Sequence, residues 1–305
     1  MKKRYFSFNE HLKKVFNTRV HKIPVDAGFY CPNKDGTFSS KGCIFCDEYG
    51  SGPINKKNVS ITDQIIQGIE AKKRRFGAEK FIVYFQSHTN TYTSREILAK
   101  YIDEALKIKN VVGISIGTRP DCLPDEIFDL LDEISKKTYF WLELGLQSIH
   151  LRSLKSLNRN HNFSDFLKSY LEAKKRNIRV CVHVILGIPG EEKEETLETA
   201  RVLNLLKTDG IKIHPLHVLK NTELEKLYTN NEVKLLGKEE YVSLVCDFIE
   251  YLYPETVIQR LTGEREKELF VAPEWLLNKS EILNSIDNEL ARRNSYQGCR
   301  NIGKI

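Results

Sequence analysis

The sequence lacks any apolar run of about 18 residues, the shortest length that would predict a membrane-spanning helix. Its N-terminal segment MKKRYFSFNEHLKKVF is basic but has no apolar core of signal-peptide length. Cysteine is scarce and odd in number, with seven in 305 residues, which does not fit a secreted disulfide framework. No internal repeat or low-complexity tract is visible. These absences predict a globular, cytoplasmic protein with reduced thiols and no membrane partner.

The net positive charge is concentrated at one end of the chain. Residues 1–22 contain seven basic residues and one acidic residue, and this excess equals the formal net charge of +6 of the whole chain. Tyr5, Phe6, Phe8 and Phe16 are interleaved with the basic residues. Such a mixture can follow phosphates and stack on bases, which predicts a basic N-terminal arm that binds nucleic acid. The alternative is a basic leader whose aromatic residues dock on the domain.

Short β-branched or aromatic runs alternate with longer amphipathic runs through most of the chain. The predicted strands lie near 23–30, 80–86, 111–118, 139–146, 178–186 and 210–218. From the second strand onward the spacing is about 30 residues, the length of a βα unit with its crossover helix. We therefore predict an α/β fold, a partial (β/α)6 TIM-like barrel over residues 23–220. Residues 221–305, with helices near 238–252 and 279–293, are predicted to form a helical C-terminal extension that covers the barrel.

Three of the seven cysteines, Cys31, Cys43 and Cys46, cluster directly after the first predicted strand. Three thiolates could hold a structural zinc ion, but residues 47–60 contain no cysteine or histidine to serve as a nearby fourth ligand. A four-iron, four-sulfur (4Fe-4S) cluster usually takes four cysteines, so three would leave one iron open to a small molecule. The three-thiol count therefore favours a catalytic cluster. A zinc-stabilised binding module without catalysis is the alternative.

The Cys-x11-Cys-x2-Cys spacing, with Phe45 before the last cysteine and the βα repeat behind it, resembles the radical S-adenosylmethionine (SAM) superfamily. Most members have the spacing Cys-x3-Cys-x2-Cys, and a longer first gap is typical of the branch that resembles the catalytic subunit of Elongator. Further segments resemble a narrower group, the YtqA/YhcC-type bacterial radical SAM proteins. These segments are YFQSHTNTY, GISIGTRPDCL, LELGLQS, VILGIPGE, IHPLHVLKNT and QRLTGE.

The resemblance implies that Cys31, Cys43 and Cys46 hold a 4Fe-4S cluster and that the open iron binds SAM. Reduced flavodoxin or ferredoxin would supply the electron that cleaves SAM to a 5′-deoxyadenosyl radical, which abstracts a hydrogen atom from the substrate. The positions at which relatives contact SAM correspond here to Phe45, Gln86, Ser87, Glu143, Gln147, Ser148, Gly187 and Ile188. At Gln86 and Ser87 the sequence departs from the Gly-Gly-Glu turn that many relatives carry there.

Four polar residues on predicted strands are candidates for catalysis: Glu143, His183, His214 and His217. Strand alternation places Glu143, Gly145 and Gln147 on one face, from which they can point into the barrel. A buried carboxylate needs a partner, so a structural pair with a barrel arginine or lysine is the alternative for Glu143. Histidine suits proton transfer near neutral pH, and the alternative for each histidine is a core group with satisfied hydrogen bonds. Further candidates to face the substrate or cover the barrel mouth are Arg119, Arg260, Arg265 and Trp275.

The substrate is the least constrained part of this interpretation. The Elongator-like resemblance, the basic arm and the segment KKRR at residues 72–75 predict a tRNA. The narrower resemblance implies chemistry on the C5 side chain of the wobble uridine, in particular conversion of a carboxymethylaminomethyl group to an aminomethyl group. A radical SAM enzyme that acts on a small molecule or a peptide is the alternative.

Overall fold

The computed structural model describes residues 3–50, 59–263 and 265–301. Seven parallel strands form one sheet, in the order β1-β2-β3-β4-β5-β6-β8, that curls into a half-barrel. They are β1 (Val20–Val25), β2 (Lys80–Phe85), β3 (Val111–Thr118), β4 (Tyr139–Gln147), β5 (Val180–Leu186), β6 (Gly210–Pro215) and β8 (Val257–Arg260), while β7 (Val218–Leu219) and β9 (Phe270–Ala272) pair separately and antiparallel. The predicted partial TIM-like barrel is confirmed, with one strand more than the six expected.

Ten α-helices and one 3-10 helix (Glu274–Leu277) accompany the strands in the described part of the chain. The α-helices are α1 (Phe8–Phe16), α2 (Ile61–Phe76), α3 (Arg95–Leu106), α4 (Asp125–Lys137), α5 (Leu151–Ser156), α6 (Phe163–Lys175), α7 (Lys193–Leu205), α8 (Glu223–Thr229), α9 (Lys238–Tyr251) and α10 (Lys279–Arg292). Local signals fix their ends. At α2, for example, the Ser60 side chain accepts a hydrogen bond from Asp63 N, and Gly77, with φ of 59°, ends the helix in a left-handed conformation.

Two strands, β1 and β8, differ from the sequence expectation. β1 begins at Val20, inside the segment assigned to the arm, and ends at Val25 rather than near residue 30. Residues 26–30 instead connect β1 to Cys31. In this connection the backbone N of Asp26 donates to Gln64 Oε1, and Gln64 Nε2 donates to the backbone O of Asp26. The seventh strand β8 comes from the segment assigned to the C-terminal extension, because its edge pairs directly with β6.

The N-terminal segment does not form a free arm. Its helix α1 lies across the N-terminal ends of the strands, where Leu12 is buried and His11 Nε2 lies 2.7 Å from Tyr139 Oη. Phe6 O accepts a hydrogen bond from Ile258 N in β8 at 2.8 Å. The Phe8 ring packs edge-on against Trp141, 6.3 Å away.

The aromatic residues of the predicted nucleic-acid arm are therefore core and packing residues, which corrects the base-stacking expectation in favour of the docked alternative. The physical reason is that the half-barrel must cover the apolar surface at the N-terminal ends of its strands. Several basic groups of the segment also form ion pairs, for example Lys3 with Asp287 at 2.5 Å and Lys22 with Glu143 at 2.5 Å.

One main hydrophobic core lies between the sheet and its helices, with smaller clusters at the two ends of the barrel. The strands are buried along most of their length, as expected for parallel strands covered by crossover helices. No helix in the described ranges is long and apolar enough to cross a membrane.

Candidate active site

A cavity lies at the C-terminal ends of the strands, between the sheet and the segment that contains the three clustered cysteines. Ten of the residues predicted from the sequence line this cavity: Cys31, Cys43, Phe45, Cys46, Gln86, Glu143, Gln147, His183, His214 and His217. The chain thus brings together thiols from one loop with polar side chains that lie on β2, β4, β5 and β6 or shortly after them. This is the end of a β/α barrel at which reactive groups are expected.

The cysteine loop is held by its own backbone and by the C-terminal part of the chain. Cys31 O accepts from Lys34 N at 2.8 Å, and Cys43 O accepts from Cys46 N at 3.0 Å. Asp47, directly after the last cysteine, is buried and forms an ion pair with Arg265. The position of the loop therefore depends on a residue more than two hundred positions away in sequence.

The surroundings of Cys43 fit an anionic, cluster-bound sulfur. Asn33 Nδ2 lies 3.4 Å and Arg159 Nη1 lies 3.6 Å from Cys43 Sγ, and both side chains are buried. Amide and guanidinium donors stabilise a thiolate and tune the potential of an iron–sulfur cluster. Burial raises the pKa of the neighbouring Cys46 thiol to about 12, against the opposing effect of Lys34, so a metal must displace its proton. With three thiols on one cavity and donors to their sulfur, the residues present fit a 4Fe-4S cluster.

Arg159 was not predicted from the sequence. It lies between α5 and α6, far from the cysteines in sequence, and reaches them because the chain has no side chain at Gly145. A Cβ at Gly145 would lie 2.6 Å from Arg159 Nη2, which instead donates to Gly145 O at 2.9 Å. The only local signal was the segment NRN, in which Asn158 and Asn160 both have positive φ.

Glu143 lies at the centre of the barrel interior with no exposed surface. Its Oε1 accepts from Lys22 Nζ at 2.5 Å and from Ser115 Oγ at 2.5 Å. Its Oε2 accepts from His183 Nε2 at 2.7 Å and from Lys212 Nζ. A carboxylate offers about four acceptor positions, and these four donors occupy them. These contacts are the ones expected from the structural-pair alternative for Glu143, and its assignment as a SAM contact stays a prediction.

Burial and charge set the protonation states in this network. Burial would raise the pKa of Glu143, but Lys212 and Lys22 outweigh it and hold that pKa well below its usual value. Burial lowers the pKa of Lys212, against the opposing effect of Glu143, whose direct contact with the Lys212 amine favours the ammonium form. Burial lowers the pKa of His183 to about 4, so near neutral pH His183 is an uncharged donor to the carboxylate.

The other two predicted catalytic histidines lie closer to the cavity mouth. The His214 ring is 5.8 Å from the His183 ring, and burial together with Arg260 lowers the pKa of His214 well below its usual value. His217 Nδ1 lies 3.1 Å from Pro215 O, and burial lowers its pKa. Both rings are uncharged near neutral pH and line the same cavity.

Four predicted SAM-binding residues do not line the cavity: Ser87, Ser148, Gly187 and Ile188. Ser148 Oγ donates to Glu191 Oε2 at 2.7 Å and accepts from His150 N, so its hydroxyl closes a turn. Ile188 is buried in a small apolar cluster, and Gly187 is in a left-handed turn with φ of 80°. Ser87 is buried with an unpartnered Oγ among the described atoms. Their assignment to SAM stays a prediction.

Of the four remaining candidates, three line the cavity and one does not. Arg119 lines the cavity, but two of its nitrogens bond Asp121 at 2.9 and 2.7 Å. Arg260 and Arg265 also line it, whereas Trp275 packs against Tyr241 with its ring 5.3 Å away. Sequence analysis missed Lys22 and Lys212, because a lysine on a buried strand is recognisable as an ion-pair partner only once the facing carboxylate is known.

Comparisons with known proteins agree with this site. The model described as "Radical SAM superfamily" matches residues 34–203, and the model described as "Radical_SAM C-terminal domain" matches residues 208–292. YtqA of Bacillus subtilis is 42% identical over 97% of this chain and 92% of its own length. The tRNA uridine(34) acetyltransferase of Methanocaldococcus infernus is 26% identical, over 68% of this chain and 40% of its own length.

A solved structure extends the comparison to the fold. The archaeal Methanocaldococcus infernus Elp3 with an N-terminal deletion matches with a TM-score of 0.71 at 18% identity, over 92% of this chain and 64% of that one. This likeness concerns the fold. The chain therefore belongs to the radical SAM superfamily, in the Elp3-like branch that includes YtqA, and it is a radical SAM enzyme that uses a 4Fe-4S cluster and SAM.

Proposed function

We propose that this enzyme modifies tRNA at the C5 side chain of the wobble uridine, converting a carboxymethylaminomethyl group to an aminomethyl group. The 5′-deoxyadenosyl radical would take one hydrogen atom from the carbon beside the carboxylate, and loss of one further electron to the oxidised cluster would give an imine. Water would then hydrolyse the imine, so that the two-carbon unit leaves as glyoxylate and the aminomethyl group remains. The observation that carries the proposal is the similarity to a relative whose name gives tRNA uridine 34 as its target. That relative is more than twice as long as the matched part, so its acetyl transfer is not carried over. The basic lining of the cavity supports a substrate with anionic groups.

In this proposal Cys31, Cys43 and Cys46 hold the cluster, and the remaining iron binds SAM. When bound, the pair supplies a 5′-deoxyadenosyl radical after one-electron reduction by flavodoxin or ferredoxin. Phe45, Gln86, Glu143 and Gln147 are the predicted SAM contacts that also line the cavity, and of these Glu143 already accepts four hydrogen bonds from the protein. The protein's own task is to position both molecules and to exclude water from the radical.

The histidines are proposed to act as uncharged hydrogen-bonding groups. His183 bonds Glu143, so it orients the network, while His214 and His217 line the cavity as neutral imidazoles. A neutral imidazole can accept a hydrogen bond from a secondary ammonium group such as the one in the carboxymethylaminomethyl side chain and so orient it. Glu143 is a positioning residue in this scheme, because its four acceptor positions are taken.

The RNA contacts need a source other than the docked aromatic residues. Lys73, Arg74 and Arg75 at the end of α2 are exposed, but α2 ends beside the start of β2, at the barrel end opposite to the cysteines. We propose that they contact the phosphate backbone at a distance from the reacting nucleotide. Replacing all three by glutamine should then weaken tRNA binding and lower its salt dependence, because each phosphate contact contributes counterion release.

The deciding experiment is anaerobic reconstitution with iron and sulfide, followed by quantification of 5′-deoxyadenosine from SAM and dithionite. Bulk tRNA from a strain that lacks this gene serves as substrate, and the nucleosides are analysed before and after reaction. We expect the tRNA to stimulate SAM cleavage and the carboxymethylaminomethyl nucleoside to decrease as the aminomethyl nucleoside appears.

Two cysteine variants make this experiment specific. Cys43→Ala removes one of the clustered thiols and should abolish both iron binding and SAM cleavage. Cys299→Ala removes an exposed thiol outside the cavity and should change neither. SAM cleavage without any effect of tRNA would favour the small-molecule or peptide alternative. Zinc in place of iron, with no cleavage, would contradict the proposed chemistry and leave the zinc-stabilised binding module.

A further inference from the structure

The barrel interior below the cysteines carries more positive than negative charge. Among the described residues that line the cavity, two carry a carboxylate, Glu143 and Asp47. Lys22 and Lys212 both bind Glu143, so one carboxylate faces two ammonium groups. Asp47 lies in the cysteine loop and is bound by Arg265, so it does not offset the excess.

Arg260 adds to this excess. It is the last residue of β8, half-buried, and its side chain lines the cavity next to β6. Within the described part of the chain, no carboxylate lies within ion-pair distance of its guanidinium, in contrast to Arg119, which bonds Asp121, and Arg265, which bonds Asp47. The guanidinium acts electrostatically on His214, Lys212 and His183, so it faces the interior network.

Such a concentration of cations is unfavourable without a counterion. Moving an uncompensated charge out of water costs free energy, and Lys22, Lys212 and Arg260 repel one another at this site. An anion that enters the cavity would offset both costs. A guanidinium presents paired N–H donors that match a carboxylate in a bidentate geometry, and a neutral imidazole can add a further hydrogen bond.

We propose that Arg260, together with Lys212 and His214, forms a subsite for a carboxylate group of the substrate. The inference rests on the proposed function, because a carboxylate is the group that distinguishes the carboxymethylaminomethyl side chain from its aminomethyl product. The subsite would then hold the substrate by the part that is removed and would release the product. The carboxylate of SAM is assigned elsewhere, to the open iron beside the cysteine loop, where Arg159 and Lys34 supply separate positive charge.

The first test measures equilibrium binding of two anticodon stem-loops, one with the carboxymethylaminomethyl uridine and one with the aminomethyl uridine. Reconstituted wild-type enzyme should bind the carboxylate-bearing RNA about ten- to a hundredfold more tightly, the range expected for a hydrogen-bonded charge. Arg260→Gln should lose this preference, and Arg260→Lys should keep part of it. Arg292→Gln, a matched change at an exposed arginine on α10, should retain the full preference.

A second readout does not depend on RNA. Phenylglyoxal modifies accessible arginines, and acetate should protect Arg260 from modification, as quantified by peptide mass spectrometry, while the exposed Arg292 stays unprotected. The melting temperature of Arg260→Gln should equal or exceed that of wild type, because this substitution removes an uncompensated cation. A clear decrease in melting temperature would instead indicate a structural arginine and overturn the proposal.

The outcomes separate the two proposals. Equal binding of both RNAs by wild type would overturn the carboxylate subsite while leaving tRNA as the substrate. An Arg260→Gln enzyme that loses SAM affinity and keeps the RNA preference would assign Arg260 to SAM and also overturn it. If neither RNA binds, the proposed function fails, and acetate then decides the subsite by itself: protection of Arg260 supports it and absence of protection contradicts it.

Discussion

The two ends of the half-barrel are built from the same strands but in opposite ways. At the N-terminal end, α1 and the residues before it cover the opening with Phe6, Phe8 and Leu12, which pack against Trp141 and Tyr139. At the C-terminal end, thiols, cations and imidazoles surround an open cavity. Glu143 and its lysines lie between the two regions, in the middle of the strands.

The difference lies in what each end leaves unsatisfied. At the covered end the aromatic groups have partners: Trp141 Nε1 donates to Tyr139 Oη at 2.7 Å, and the same oxygen lies 2.7 Å from His11 Nε2. At the open end Arg260 has no acid partner among the described residues and three thiols face the cavity. Unsatisfied polar groups are unfavourable for stability and useful for binding, so the covered end must provide stability that the open end does not.

Trp141→Ala should have the largest effect on stability. Trp141 is almost fully buried, and removing a buried aromatic side chain typically costs about 3–5 kcal/mol. We expect a decrease of this size in the free energy of unfolding, measured by denaturant titration, with iron content and SAM cleavage retained under conditions where the variant is folded. Tyr296→Ala, at an exposed aromatic residue, serves as the control. A Trp141 variant that loses SAM cleavage while folded would show that the two ends are coupled.

Glu143→Gln tests the region between the two ends. The amide keeps two acceptor positions but leaves Lys22 and Lys212 without a counterion, and breaking a buried ion pair costs about 3 kcal/mol or more. We expect a loss of stability of this order and recovery of a large part of it in the double variant Glu143→Gln, Lys212→Met. Equal stability of the single and double variants would contradict a network held by charge.

Arg159→Met addresses the open end. The change removes a cationic donor to Cys43 Sγ and to Gly145 O. The reduced cluster carries one more negative charge than the oxidised cluster, so it loses more stabilisation when this donor is removed. We expect the cluster potential to become more negative by about 60 mV, the equivalent of about 1.4 kcal/mol for one electron. Redox titration followed by electron paramagnetic resonance measures this shift. Arg152→Met, at an exposed arginine, should leave the potential unchanged.

The fold and the cysteine cluster could be predicted because their signals are local. The strand spacing and the Cys-x11-Cys-x2-Cys pattern lie within short windows, and alternation correctly directed Glu143 into the barrel. The roles of Lys22, Arg159 and Arg260 depend on contacts between residues far apart in sequence. The basic arm was misread because the interleaved aromatic residues that suit base stacking also suit packing against a barrel end.

The seventh strand of the sheet, β8, likewise depends on a contact between residues far apart in sequence. The segment VIQR is short and follows a helix-rich region, so no local signal predicts that it pairs with β6. The pairing puts Arg260 at the cavity, because the strand direction is fixed by its parallel neighbour. Arg260, which the sequence predicts only as a cover of the barrel mouth, therefore lines the wall of the cavity.

The smallest expected effect concerns the pH dependence of stability at the open end. Burial and Arg260 lower the pKa of His214 well below 6.5, so the folded protein keeps this ring neutral while the unfolded chain binds a proton as the pH falls below about 6.5. The resulting loss of stability begins below about pH 6.5 and approaches about 1.4 kcal/mol per pH unit for one proton. His214→Gln should remove this contribution, measured as a smaller decrease in the free energy of unfolding between about pH 7 and about pH 5.5. Between about pH 7 and about pH 8 the ring is neutral in both states, so wild type and variant should respond alike there. Equal acid dependence of the two proteins would mean that His214 is protonated in the folded state and that the cavity already contains an anion beside it.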